Sequence, residues 1–314
     1  MAERMIDTGP VSLACEAFGS PAAPTVLLIM GNSAPGLVWP TDLCTRLADA
    51  GYHVLRFDQR DTGLSTYVDF EAAPYTLDDL VDDAFGVLDG YGIERAHVVG
   101  LSQGGVLAYR MAIRAPGRVA TVAALMASAD LRPKTDAFLG LPPRTDELSR
   151  PSSDYVAAVI ALNATPPTGV AEAATRFVEN FRLASGPKAP FDEIAWAALG
   201  RDFAERPMLR SDGLTAAVAN NSHHARAQAA TPDLNGTALA LISCPVLIVH
   251  GTRDPIFPPD HARWAAEWIN DAELLLVEDM GHALDPAYFT PIAQALERHW
   301  AGSSGKLQLV HSDR

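Results

Sequence analysis

The sequence predicts an α/β fold, a mostly parallel, doubly wound sheet with an inserted helical cap. Short apolar runs rich in β-branched residues alternate with amphipathic helical patterns, which is the order of strand and crossover helix in such a sheet. Those runs are apolar at nearly every position, as strands covered on both faces must be. One proline-dense stretch, residues 131–235, breaks the alternation, and at about a hundred residues it is too long for a loop.

Along the chain the strand candidates are "TVLLIM" (Thr25 to Met30), "HVLRF" (His53 to Phe57), "HVVGL" (His97 to Leu101), "VATVAALM" (Val119 to Met126), "PVLIVHG" (Pro245 to Gly251) and "ELLLVE" (Glu273 to Glu278). Between the second and third of them, "YTLDDLVDDAFGVLDGYGI" reads as a helix. Thr76 caps it, acidic residues favour its positive end, and Gly90 or Gly92 ends it. "GGVLAYRMAIRAP" is helical until Pro116 stops it. After the last two strands come the amphipathic "DHARWAAEWIN" and "PAYFTPIAQALERHW". The expected organisation is a core of residues 1–130 and 236–301, a helical cap of residues 131–235 and a tail of residues 302–314.

Composition narrows the function classes. With 314 residues, 48% hydrophobic and 20% charged, the chain can bury one large core, which argues against a disordered or fibrous protein. Its net charge is −14, and basic residues are nowhere gathered into a stripe, so nucleic acid and anionic membrane are poor partners. Cys15, Cys44 and Cys244 are isolated and share no metal-ligand spacing, which fits buried thiols in a reducing compartment. The first residues lack the apolar run of a signal peptide, and no stretch approaches the roughly 20 apolar residues of a membrane span. The expectation is a cytoplasmic protein.

"GLSQG" (Gly100, Ser102, Gly104) matches GxSxG, in which a strained turn between strand and helix lifts a serine hydroxyl clear of the sheet. Chance supplies such a triplet about 0.1 times in a chain of this length. Here it follows an apolar strand and opens a helix, the context the motif requires. A serine needs a base, and the base needs a carboxylate to orient it. Of the nine histidines, His282 in "EDMGHALDP" sits in a short loop after a late strand. His250 ends a strand as a packed core residue would, and His261 falls on a helix surface. Asp254 in "GTRDP" stands just past its strand, where catalytic groups of α/β sheets gather, and Asp130 in "LMASAD" is the rival acid. Asp279 and Asp285 lie too close in sequence to orient His282 easily. The oxyanion of a tetrahedral intermediate needs backbone donors. Gln103, at a helix N-terminus, and Asn32, in the loop "MGNSAPG" with Gly31 supplying the bend, are the candidates.

Taken together, these motifs resemble the α/β-hydrolase superfamily along nearly the whole chain. "RFDQRDTGLS" (Arg56 to Ser65) is similar to the family's turn beneath the active site, with Asp61 where many relatives have glycine. "LLIMGNSAPGLVWP", "DQRDTGLS", "GLSQGG" and "DMGHALD" look like the subgroup containing aclacinomycin methylesterase, whose members remove a methyl ester from an aromatic polyketide. The resemblance implies that Ser102 attacks an ester carbonyl, His282 takes its proton and Asp254 stabilises the imidazolium, with no cofactor or metal. Many members carry His-Gly where this chain has Met30-Gly31, which removes a supporting imidazole but no backbone donor.

A capped hydrophobic pocket suits a bulky apolar small-molecule ester. Trp39, Met126, Ile256 and Phe257, near the expected catalytic loops, are candidates to line it. The cap aromatics Phe177, Phe181, Trp196 and Phe203 fit equally a pocket wall or the glue of a small helical unit. One of His223 and His224 faces the pocket, or both lie on a helix surface. The same triad also serves carbon–carbon hydrolases, lactonases, amidases and perhydrolases, and the same fold serves ligand receptors with little turnover.

Overall fold

The computed structural model describes residues 3–145, 148–209 and 221–302. Its centre is one eight-stranded sheet in the order β1-β2-β4-β3-β5-β6-β7-β8: β1 (Arg4–Asp7), β2 (Ser12–Phe18), β3 (Thr25–Ile29), β4 (His53–Phe57), β5 (Ala96–Leu101), β6 (Val119–Leu125), β7 (Val246–Gly251) and β8 (Ala272–Val277). The run β4 to β8 is parallel, while β2 runs antiparallel to both β1 and β4. The two N-terminal strands are additions to the sequence expectation. "RMID" is four residues long and "SLACEAF" is rich in residues with weak strand preference, so pairing with a formed edge makes them strands.

The described helices are α1 (Thr41–Asp49), α2 (Leu77–Gly90), α3 (Gln103–Arg114), α4 (Arg132–Phe138), α5 (Ser153–Leu162), α6 (Val170–Ser185), α7 (Glu193–Glu205), α8 (Asn221–Ala229), α9 (Gly236–Leu239), α10 (Asp260–Trp268) and α11 (Phe289–Trp300), of which α1, α2, α3, α10 and α11 pack against the two sides of the sheet. Both faces of β3 are buried, which is why its sequence is apolar throughout. Leu27 and Ile29 join Val98, Val122 and Ile248 in a layer beneath α2 and α3, and Val26 and Leu28 join Val99, Leu125 and Leu247 in a layer with Leu43 of α1 and Leu296 of α11. At Thr76 the helix α2 opens as its sequence predicts. Asp79 accepts from the Thr76 amide at 2.8 Å and from its hydroxyl at 2.7 Å.

The proline-dense stretch supplies α4 to α8 between β6 and β7. Its aromatic residues stack on one another. Phe177 of α6 stacks on Phe203 of α7 at 4.4 Å between centroids, and Phe181 stacks on Trp196 at 4.7 Å. Asp285, after β8, accepts from the Trp196 indole at 3.0 Å and from the Asp192 amide at 2.7 Å, tying α7 to the core. The end of the stretch returns to the core: Ala227 and Leu234 belong to the layer under α2 and α3.

Cys15, Cys44 and Cys244 are buried free thiols. Burial pushes Cys44 up to about 12. No helix among the described residues is long and apolar enough to cross a membrane.

Candidate active site

The sheet register brings the site together. Leu101 pairs with Leu125, Leu125 with Val249 and Val249 with Leu275, so β5, β6, β7 and β8 end at one edge. Adjacent strands lie about 4.8 Å apart, which places the loops after all four within reach of one small molecule.

Ser102 leaves that edge after β5 with φ 54° and ψ −120°, a conformation rare for any residue but glycine. Its amide donates to Leu125 O at 2.9 Å, and its carbonyl accepts from the Gly105 amide at 2.9 Å, so strand and helix hold the turn from both sides. The flanking glycines are there for space. A Cβ on Gly100 would lie 2.0 Å from Gly104 O, and one on Gly104 would lie 2.2 Å from Ile29 O.

Asp254 and His282 meet. Asp254 Oδ2 accepts from His282 Nδ1 at 2.7 Å, which assigns the remaining proton-accepting role to Nε2. Asp254 Oδ1 accepts from the Ile256 amide at 2.8 Å and the Phe257 amide at 2.9 Å, so the carboxylate is fixed through both oxygens. Burial works against its charge, but His282, His250 and the Phe257 amide together outweigh it and hold the carboxyl below its usual range. His282 in turn is held by its own amide, which donates to Ala184 O of α6 at 2.8 Å. The rival acid is engaged elsewhere, since Asp130 forms a two-pronged pair with Arg132 at 2.7 and 2.6 Å. Ser102 Oγ has no hydrogen bond among the described residues, and catalytic contacts of this kind commonly tighten only around substrate.

The loop after β3 lies against the serine: a Cβ on Gly31 would be 3.1 Å from Ser102 Cβ. It turns tightly, with the Ala34 amide donating to Gly31 O at 3.4 Å and Asn32 and Ser33 at the centre. Neither the Asn32 amide nor the Gln103 amide has a backbone acceptor among the described residues outside regular helix and strand bonding. This edge has a nucleophile candidate on a strained turn, a buried His–Asp pair and two amides beside them, the components of acyl transfer.

A model of the alpha/beta hydrolase fold matches residues 24–284. The chain belongs to the α/β-hydrolase family. Rhodomycin D methylesterase DauP of Streptomyces sp. strain C5 is 36% identical over 303 residues, 95% of this chain and 98% of that protein. Rhodomycin D methylesterase DnrP of Streptomyces peucetius is 34% identical over 302 residues, with the same coverage of both chains. Among solved structures, the 2-hydroxy-6-oxo-6-phenylhexa-2,4-dienoate hydrolase of Rhodococcus sp. strain RHA1 superimposes with a TM-score of 0.73 at 20% identity, covering 96% of this chain and 98% of that one.

In this α/β-hydrolase the four expected lining residues differ in setting. Trp39, Met126 and Phe257 are fully buried, and Ile256 is half-buried. Trp39 packs in the layer with Leu43, where its carbonyl accepts from Arg56 Nη1. Phe257 stands against the His282 ring at 5.6 Å between centroids. Met126 follows β6 with φ 49°, one residue past the Leu101–Leu125 pair that Ser102 also follows. Two surface recesses, of about 460 and 400 Å³, lie away from this edge, the first between α1 and α11 and the second at the end of α6. The histidine expected on a helix surface is not there: His261 is fully buried because Ser128 Oγ meets its Nδ1 at 2.6 Å and Ser149 O its Nε2 at 2.8 Å. His250 is buried, and its Nε2 donates to Phe257 O at 2.7 Å.

Other residues near the site escaped the sequence reading. Gln59 Nε2 donates to Met30 O at 2.9 Å and reaches Gly31 O at 3.4 Å, bracing the loop after β3. Its only sequence signal was its place within "RFDQRDTGLS". Lys134 of α4 lies 6.0 Å from the Phe257 ring centre, and burial pushes its ammonium down to about 8. Tyr155 of α5 is close enough to feel the Asp254 charge, which adds to burial in raising its phenol.

Proposed function

We propose that this protein is a serine ester hydrolase acting on a small, bulky apolar ester, such as the methyl ester of an aromatic polyketide. The observation that carries this reading is the buried 2.7 Å contact between Asp254 and His282 at the sheet edge from which Ser102 projects. Full-length likeness to two rhodomycin D methylesterases supports the substrate class.

In this reading His282 Nε2 takes the Ser102 proton as Oγ attacks the ester carbonyl. Asp254, held ionised, keeps Nδ1 protonated and stabilises the imidazolium. The amides of Asn32 and Gln103 donate to the oxyanion, and the N-terminus of α3 adds its positive end. Collapse of the tetrahedral adduct passes the proton from His282 to the departing alkoxide, which leaves as alcohol. Water then gives its proton to His282 and its oxygen to the acyl carbon, releasing the acid and restoring Ser102. Residues 131–235 serve as the cap, presenting Lys134 and Tyr155 above Phe257 and Asp254.

The test is hydrolysis of short-chain aryl esters and of methyl esters of polycyclic aromatic acids by wild type and Ser102→Ala. The reading expects hydrolysis by wild type and a loss of at least about 10³-fold in the variant. Comparable turnover by both proteins would sink it.

A further inference from the structure

His224, on α8 of the inserted stretch, is fully buried and reaches three parts of the candidate site. Its Nδ1 accepts from the Ser33 amide at 2.9 Å, in the loop after β3. Its Nε2 donates to Arg60 O at 2.9 Å, in the turn after β4. Its backbone carbonyl accepts from Gln103 Nε2 at 3.4 Å, the side chain next to Ser102. These bonds fix one tautomer, with the proton on Nε2, and burial lowers the pKa of the ring and keeps it neutral.

What His224 holds is a strained element. Ser33 has φ 57° at the second central position of the Gly31–Ala34 turn, where a side chain costs about 1 kcal/mol or more. Gln59 secures the carbonyls that lead into the turn, and His224 secures the amide in its middle. Of the two central amides, that of Ser33 is thereby occupied and that of Asn32 is left for another acceptor. We infer that His224 is a positioning residue that pins the Asn32–Ser33 peptide from the inserted stretch and so keeps the Asn32 amide aimed at the oxyanion. This rests on the ester hydrolase reading. It makes the oxyanion hole depend on the two ring bonds of His224 as well as on the sheet.

Two substitutions separate this role from simple packing. In His224→Asn the side-chain amide falls near the position of Nδ1 and can still accept from Ser33. In His224→Gln it falls near Nε2 and can still donate to Arg60 O. Both are polar and close in size to histidine. The measurements are kcat and KM on a short-chain aryl ester, and affinity for an alkyl boronic acid that forms a tetrahedral adduct on serine.

The expected result is a fall in kcat of about 10- to 100-fold in His224→Gln with KM little changed, and a parallel loss of boronate affinity. His224→Asn should stay within about 3-fold of wild type. Equal behaviour of the two variants, or a full rate in His224→Gln, would overturn the inference. Thr231→Val is the control for loosened packing, since Thr231 accepts from the Leu77 amide at 2.8 Å and fastens the end of α8 to α2. It should lower the unfolding midpoint and leave kcat unchanged; a matching fall in kcat would also overturn the inference. Wild-type protein that neither hydrolyses the ester nor binds the boronate would instead sink the hydrolase reading itself.

Discussion

At the scale of single residues, the Asp254–His282 contact makes the sharpest demand. Asp254→Asn keeps the volume but lets His282 adopt the wrong tautomer, and steady-state kinetics should show a loss of about 10⁴-fold in kcat. Asp130→Asn breaks only the pair with Arg132, so its rate should stay near wild type. A large loss there with a mild one at Asp254 would reverse the assignment. The sequence could nominate both acids, because each follows a strand, and it favoured Asp254 through the chain order Ser102, Asp254, His282. In the fold, the Ile256 and Phe257 amides in the loop after β7 turn the Asp254 carboxylate toward His282, while Asp130 pairs with Arg132. His261 shows the opposite limit. Its helical spacing gave no sign that Ser128 and Ser149, distant in the chain, would enclose it.

At the scale of elements, strain is gathered on one side of the sheet. The described residues other than glycine with positive φ are Ser33, Asp61, Ser102, Met126 and Asp279, and each lies within four residues after the end of a parallel strand. Strain of this kind persists where surrounding structure over-determines it, and it collects at functional edges. Asp61 illustrates how it is held: its carboxylate accepts from the Val68 amide at 2.6 Å and the Tyr75 hydroxyl at 2.7 Å. Gly104→Ala tests the tightness of the junction between β5 and α3. With Ile29 O 2.2 Å from the added carbon, the backbone must shift, and denaturant unfolding should show a loss of about 3 kcal/mol or more. A change below about 1 kcal/mol would mean that the turn has slack. The parallel strands were legible because burial on both faces writes itself as a continuous apolar run. The antiparallel β1 and β2 were not, since their pairing comes from β4 and from each other.

At the scale of the whole molecule, burial governs how the protein responds to acid. Burial lowers the pKa values of His53, His97, His224, His250 and His299, with His97 at about 4. Between such a lowered value and the ordinary value near 6.5, the unfolded chain binds more protons than the folded one, so stability rises with pH across that window. This contribution is complete above about pH 6.5 and is lost as pH falls toward 4. Thermal unfolding followed from pH 7.5 to 4.5 should show a midpoint that declines from about pH 6.5 downward; a flat midpoint would contradict the buried neutral imidazoles. The composition shows many histidines in an acidic chain but cannot show that four of these are buried and His97 half-buried. The alternation of strands and helices and the inserted stretch were readable at this scale because they follow from pattern and length. How α8 returns to the core was not, because it depends on contacts between residues such as Ser33 and His224, 191 positions apart. The central claim is that Ser102 carries the acyl group, and the most direct measurement is intact and peptide mass after rapid acid quench of wild type and Ser102→Ala mixed with an aryl ester. The account predicts a transient adduct of the acyl mass on the Ser102 peptide of wild type and none on the variant. Turnover without that adduct, or an equal adduct on Ser102→Ala, would contradict it.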